Sequence, residues 1–474
     1  MLFQSVEFLV FAGFVLAAYF ALPHTRRRWL LLIASYAFYM AWDYRFSALM
    51  LASTLIDYTA CLRIERSGRT VERRSWLVAS LAANLGLLGV FKYLDFFIGS
   101  FGDLLSAVGV DAGLRAVGLI LPVGISFYTF QSMSQTIDVY RGEIRAERDL
   151  LSFAVYVAFF PQLVAGPIVR ARDFLPQLRR RVGWSWVRAR AGFERFLLGL
   201  TKKVVIADNL GSFADLVYND PGSFDTPMTW LGTLCFAGQI YADFSAYSDM
   251  AIGIARVFGF RFPENFDAPY TARSPSEFWR RWHISLSTWL RDYLYISLGG
   301  NRGGAWKTYR NLALTMLLGG LWHGASYNFI IWGAFHGALL IAQRLTEPIT
   351  RPLSATAPRL AGVLGWAFML LAAVVAWVPF RAATLDDTLT VLDAMFVHLS
   401  ADFDLATLRS VDLPLIWILL GALAVEQAVI RFTKDTRLRV LGSPAARGLA
   451  FGLAGFAAMH FRYDGEVPFV YFQF

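Results

Sequence analysis

Cysteine and charge are both scarce in this chain of 474 residues. Its two cysteines, Cys61 and Cys235, lie in apolar stretches, which excludes a disulfide framework and the paired spacing of a zinc site. Charged residues make up 17%, against about 25% in soluble domains. A surface so poor in charge rules out a secreted enzyme, a soluble nucleic-acid binder and a disordered protein. The first residues lack the basic region of a signal peptide, and Leu22-Pro23-His24 is a poor cleavage site. No internal repeat divides the chain into modules. One membrane-embedded domain over 1–474 is expected, with N-terminal helices (1–140), a core of re-entrant and interfacial segments (141–345), and C-terminal helices ending in an aromatic tail (346–474).

Apolar residues are abundant instead, at 56%, with 16% aromatic. A helical span needs roughly 20 mostly apolar residues, and such runs occur near 6–22, 28–42, 46–62, 75–99, 114–137, 361–380, 413–430 and 446–463. They predict an all-α polytopic membrane protein of about 10 to 13 helices, re-entrant and interfacial pieces included.

The net charge of +9 is unevenly placed. Arg26, Arg27 and Arg28 follow the first span, and Arg63, Arg66, Arg69, Arg73 and Arg74 follow the third. Arginine collects on the cytoplasmic side, so the N-terminus is expected outside. Residues 382–412 hold Asp386, Asp387, Asp393, Asp402, Asp404 and Asp412 against Arg409, which suits the outer face. The basic stretch 431–447 suits the cytoplasm and leaves the C-terminus outside. Arg170, Arg172, Arg179, Arg180, Arg181, Arg188, Arg190 and Arg195 would also lie outside if 150–168 were a simple span. Pro161, Gly166 and Pro167 make that segment re-entrant instead, which implies a wet cavity, since irregular backbone at membrane depth must be shielded or face water. These arginines offer a landing site for a phosphorylated donor or an attraction to anionic lipid.

Polar groups inside apolar segments are costly, so they mark candidate sites. Ser126, Thr129, Gln131, Ser132, Ser134, Gln135 and Asp138 interrupt one span. Gln239 and Asp243 share a helical face near Ser245, Ser248 and Asp249. Interhelical hydrogen bonding is the structural use of such groups. From Leu312 to Ala342 there is no Lys, Arg, Asp or Glu, yet His323 and His336 occur. His283 lies in an aromatic, basic and amphipathic stretch of the kind that rests at the membrane interface. These histidines lack zinc spacing, so no metal is expected. On one continuous helix, 13 residues would turn His336 about 220° away from His323, which leaves His323 as the candidate base and His336 as structural. Burial keeps an imidazole neutral and able to take a hydroxyl proton. A thioester's thiolate, with a thiol pKa of about 8.5, then needs little help to leave.

Four ordered motifs carry a family resemblance: Tyr-Ala-Asp-Phe-Ser-Ala-Tyr-Ser-Asp-Met-Ala-Ile-Gly (241–253), Phe-Trp-Arg-Arg-Trp-His-Ile-Ser-Leu-Ser-Thr-Trp-Leu-Arg-Asp-Tyr (278–293), Leu-Gly-Gly-Asn-Arg-Gly-Gly (298–304) and Gly-Gly-Leu-Trp-His-Gly-Ala (319–325). Together they resemble the membrane-bound O-acyltransferase superfamily, in the bacterial branch that includes alginate O-acetylation and teichoic-acid D-alanylation. The resemblance implies that His323 is the essential histidine, mid-membrane where cytoplasmic and outer funnels meet, and that His283 is the second characteristic position. It implies acetyl-CoA as acyl donor, a secreted polysaccharide as acceptor, a separate SGNH-type periplasmic partner, and residence in the bacterial inner membrane. Asp243, Asp249, Gln239, Trp322, Arg280, Arg281, Asn301 and Arg302 are candidates to line the substrate cavity. Residues 299–304 are equally well explained as a tight turn. The aromatic tail, Pro468 to Phe474, fits interfacial anchoring, or docking of a partner with Tyr471 meeting it or briefly holding the acyl group. Two alternatives stay open: D-alanyl transfer from a carrier-protein thioester, and a polysaccharide or lipid transporter, which would call for broken helices in matched halves.

Overall fold

The structure is a computed structural model that describes residues 1–163, 166–400, 412–434, 442–461 and 469–470. Every regular element among them is helical. The first helices are α1 (Val6–Ala21), α2 (His24–Asp43), α3 (Ser47–Arg66), α4 (Thr70–Leu88), α5 (Leu94–Ala107), α6 (Ile125–Arg141), α7 (Leu150–Ala158), α8 (Phe160–Leu163), α9 (Ala171–Leu178) and α10 (Trp186–Thr201). They are followed by α11 (Asp208–Tyr218), α12 (Thr226–Phe258), α13 (Pro275–Trp279), α14 (Ile284–Trp289), α15 (Ala305–His323), α16 (Tyr327–Thr356), α17 (Pro358–Arg381), α18 (Leu385–Phe396), α19 (Leu413–Thr433) and α20 (Pro444–His460). Among the described residues, five stretches are long and apolar enough to cross a membrane: His24–Arg66, Thr70–Ala107, Tyr327–Pro352, Pro358–Arg381 and Leu413–Thr433. The all-α polytopic expectation holds.

The chain packs as two units, Met1–Phe193 with Ala251–Pro263, and Glu194–Met250 with Glu264–Phe474. In the first unit, the segment expected to be re-entrant is interrupted. The nine residues of α7 rise only about 14 Å at 1.5 Å each, too little to cross about 30 Å of hydrocarbon. The chain breaks at Phe159 and resumes as α8. Side-chain amides of Gln131 and Gln162 both donate to the Tyr156 carbonyl beside this break. One amide from α6 and one from α8 therefore satisfy backbone that an unbroken helix would satisfy itself.

The span predicted over 114–137 is corrected. Its helix begins at Ile125, and the preceding residues are non-helical and largely exposed. Gly109, Gly113, Gly118 and Gly124 all take positive φ, a conformation that ends helices rather than continuing them.

The second unit contains α11, α13 to α20 and most of α12. Its centre is the α15–α16 hairpin. A Cβ on Gly320 would stand 2.2 Å from the Phe329 carbonyl oxygen, and one on Gly333 would stand 2.4 Å from that of Met316. Only glycines at these two positions let the helices meet backbone to backbone. The Asn328 amide donates to the carbonyls of Ala382 (2.9 Å) and Thr384 (3.0 Å), which ties the start of α16 to the end of α17.

Candidate active site

His323 is the last residue of α15, and the chain turns at Gly324 before α16 begins. This turn brings the Phe329 and Trp332 rings back over the imidazole. Ring centroids of Trp322, Trp332 and Phe380 lie 5.0, 4.9 and 5.1 Å from that of His323. The residue is 4% exposed. Among the described residues aromatic side chains cover this ring, and neither of the two cavities in this unit described below is lined by His323.

The turn also changes the relation between His323 and His336. They belong to different helices, so the 220° separation expected of one continuous helix does not apply. Both face Trp332, at 4.9 and 4.7 Å between ring centroids. The His336 ring also stacks on Phe278 at 5.9 Å and meets Trp279 edge-on at 5.0 Å.

His283 adopts a left-handed backbone (φ 42°) where α14 starts, a strained choice for any residue but glycine. Its Nδ1 lies 3.1 Å from Asn265 Oδ1. That oxygen also accepts from the Ser285 hydroxyl (2.9 Å) and amide (3.3 Å), while Asn265 Nδ2 donates to Ser248 Oγ at 3.0 Å. An oxygen already accepting two hydrogen bonds is an acceptor for the third, so the proton sits on His283 Nδ1 and Nε2 carries the lone pair. Burial pushes the His283 pKa down to about 3, because desolvation disfavours the charged ring. The Trp322 ring spans the two histidines, 5.8 Å from His283 and 5.0 Å from His323. Phe244 of α12 meets His283 edge-on at 4.6 Å.

A cavity of about 300 Å³ opens beside Asn265, lined also by Arg195, Lys202, Tyr241, Asp249 and Glu426. Its wall is an ion network. Arg195 pairs with Asp249 (2.8 Å) and Glu264, and Lys202 bridges Asp249 (3.1 Å) and Glu426 (2.5 Å). Buried charges are tolerable only when paired this way.

The remaining sequence candidates divide. Asp243 is buried and paired with Lys203 at 3.0 Å, and its other oxygen accepts the Val470 amide at 2.7 Å. The tail residues Phe469 and Val470 are thus fully buried, with the Phe469 ring 4.6 Å from Tyr247. This corrects interfacial anchoring for those two residues; Tyr471 lies outside the described residues. Gln239 packs over Gly211. Arg281 is committed to Glu277 (3.0 Å) and Asp267 (3.1 Å). Arg280, Asn301 and Arg302 are exposed, and Asn301 accepts from Arg344 at 3.0 Å. The structure brings together His283, Trp322 and His323, with Asp249 on the wall of the neighbouring cavity.

Sequence reasoning missed Asn265, Lys202, Lys203, Glu264 and Glu426, and took Arg195 only as one arginine of the basic 170–195 stretch. Glu426 was legible as an acid inside the span at 413–430. Asn265, in Pro-Glu-Asn-Phe between α12 and α13, carried no signal.

These features define a multi-pass membrane protein with buried histidines in its helical core. A profile described as "MBOAT, membrane-bound O-acyltransferase family" matches residues 142–380, a stretch that includes both His283 and His323. The chain is 46% identical to a probable alginate O-acetylase AlgI of Azotobacter vinelandii, over 87% of this chain and 81% of that relative. It is 38% identical to a peptidoglycan O-acetyltransferase of Helicobacter pylori, over 83% and 77% respectively. A teichoic acid D-alanyltransferase of Bacillus subtilis matches at 27% over 48% of this chain and 60% of the relative. The chain belongs to the membrane-bound O-acyltransferase family and is an O-acyltransferase.

Proposed function

We propose that the protein takes an acetyl group from cytoplasmic acetyl-CoA and moves it across the bacterial inner membrane for O-acetylation of a secreted polysaccharide, alginate or a close relative. An SGNH-type periplasmic protein completes the transfer, and both termini of the chain lie on that side. Identity of 46% to a probable alginate O-acetylase over most of the chain supports acetyl over D-alanyl transfer, since similarity to the D-alanyltransferase is lower and covers about half the chain. The observation that carries the reading is the buried histidine pair joined through Trp322.

In this reading His323 is the general base. Its neutral imidazole removes the proton of the accepting hydroxyl as that oxygen attacks the thioester carbonyl. The C–S bond breaks, and the imidazolium returns its proton to the departing thiolate. His283 orients the acceptor through Nε2. Because His323 is 4% exposed, donor binding in this reading displaces an aromatic ring beside it. A second reading exchanges the roles, favoured by the Asn265 hydrogen bond that fixes the His283 tautomer and by the cavity beside it. The two readings differ in which asparagine substitution, at 323 or 283, abolishes transfer. Purified protein offered labelled acetyl-CoA and, separately, an aminoacyl-carrier thioester tests the donor. Transfer from acetyl-CoA alone is expected, and transfer from the carrier alone would overturn the proposal.

A further inference from the structure

The larger cavity of the second unit, about 830 Å³, takes no part in the chemistry above. Its walls come from α12, α17 and α19 and are almost wholly apolar. Its mouth is not. Arg273, Arg359 and Arg431 all line it, and they cluster at one end. The Arg273 backbone amide and the Arg431 guanidinium both meet Glu277, at 2.8 and 3.5 Å. Gly362 and Gly365, on the first turns of α17, press against Arg273. A Cβ at these positions would stand 3.1 Å from its Nη1 and 2.6 Å from its carbonyl. Arg359 lies one turn earlier on the same helix.

The groove has the depth of one leaflet. From Arg359 to Val374 on α17 is about 22 Å at 1.5 Å per residue, and from Arg431 to Leu420 on α19 about 16 Å. Half of a hydrocarbon core is about 15 Å. Trp366 stands near the mouth, half-exposed, with its indole N–H donated to the Tyr270 carbonyl at 3.0 Å, as tryptophan does at the headgroup level. Arg273 and Arg359 have no carboxylate partner among the described residues, and arginine bordering hydrocarbon is costly without one. A phosphate supplies the missing charge in bidentate form.

We propose that this groove holds an acyl chain of an anionic glycerophospholipid from the arginine-rich leaflet, with its phosphate among Arg273, Arg359 and Arg431. The test uses full-length protein, delipidated in mild detergent and given phosphatidylglycerol or phosphatidylcholine with identical chains, with retained lipid read by native mass spectrometry. Phosphatidylglycerol should be retained in preference, and each of R273Q and R359Q should weaken retention about fivefold, while R359K keeps most of it. Equal retention of both lipids, or an unchanged R273Q/R359Q double variant, would overturn the proposal. Displacement of phosphatidylglycerol by coenzyme A would overturn it too, by giving the groove to the donor. Should the double variant fail to fold, Ala428→Trp fills the groove and leaves every charge in place; lost retention would support the proposal, and kept retention would refute it.

Discussion

Replacing Asn265 by alanine removes four hydrogen bonds at once: three accepted by Oδ1 from His283 and Ser285, and one donated to Ser248. At about 1 kcal/mol net each, the upper limit is roughly 4 kcal/mol. Serine hydroxyls that find other acceptors reduce it, so a loss of about 2–3 kcal/mol is expected, visible as a lower unfolding temperature in detergent. The effect on chemistry is separate. Without the amide oxygen, neither the ring orientation nor the Nδ1–H tautomer of His283 is fixed, and transfer from labelled acetyl-CoA should fall about 10- to 100-fold. Asn265→Asp separates the two effects. It keeps the acceptor oxygen but sets a carboxylate beside the imidazole, which favours the charged ring. Its rate should therefore decline at a higher pH than that of the wild type as the solution is acidified. An Asn265→Ala protein with normal rate at every pH would refute the role assigned to His283.

Three further outcomes are expected. With its pKa lowered to about 3, folded His283 stays neutral while the unfolded ring takes a proton below about 6.5. This contribution to stability is complete above that pH and is lost on acidification by up to about 1.4 kcal/mol per pH unit; denaturant titrations from pH 7 to 4 should show a loss that His283→Gln diminishes. Gly320→Val sets a side chain 2.2 Å from the Phe329 carbonyl, so it should separate α15 from α16 and displace His323, with transfer falling at least tenfold; retained activity in membranes would count against the hairpin's role. Lys202→Met leaves Asp249 and Glu426 without the lysine they share, and a loss of about 3–5 kcal/mol is expected; an unchanged melting curve would contradict it.

Much of the fold was legible because the membrane imposes its own rules. The spans near 6–22, 46–62, 361–380 and 413–430 coincide closely with α1, α3, α17 and α19, since length and apolarity alone decide them. The break within 150–168 was legible from arginine bookkeeping and proline. The start of α6 was not, because the apolar run 114–124 hides glycines whose positive φ only the fold reveals. In the candidate site, His323, His283 and Trp322 were singled out from motif and composition, but how they meet depends on a turn at Gly324 that periodicity does not show. Asn265 was invisible for the same reason: it is one polar residue in a loop, and only tertiary packing brings it to His283. The arginines at 280 and 302 attracted notice by charge, yet their exposure separates them from the buried rings.

A structure with a non-hydrolysable acetyl-CoA analogue bound tests the central claim most directly. The account predicts that at least one of the rings around His323 has moved and that the acyl carbonyl stands within about 3.5 Å of an imidazole nitrogen of His323 or His283. An analogue bound elsewhere, with the His323 imidazole still enclosed by Trp322, Trp332 and Phe380, would contradict it.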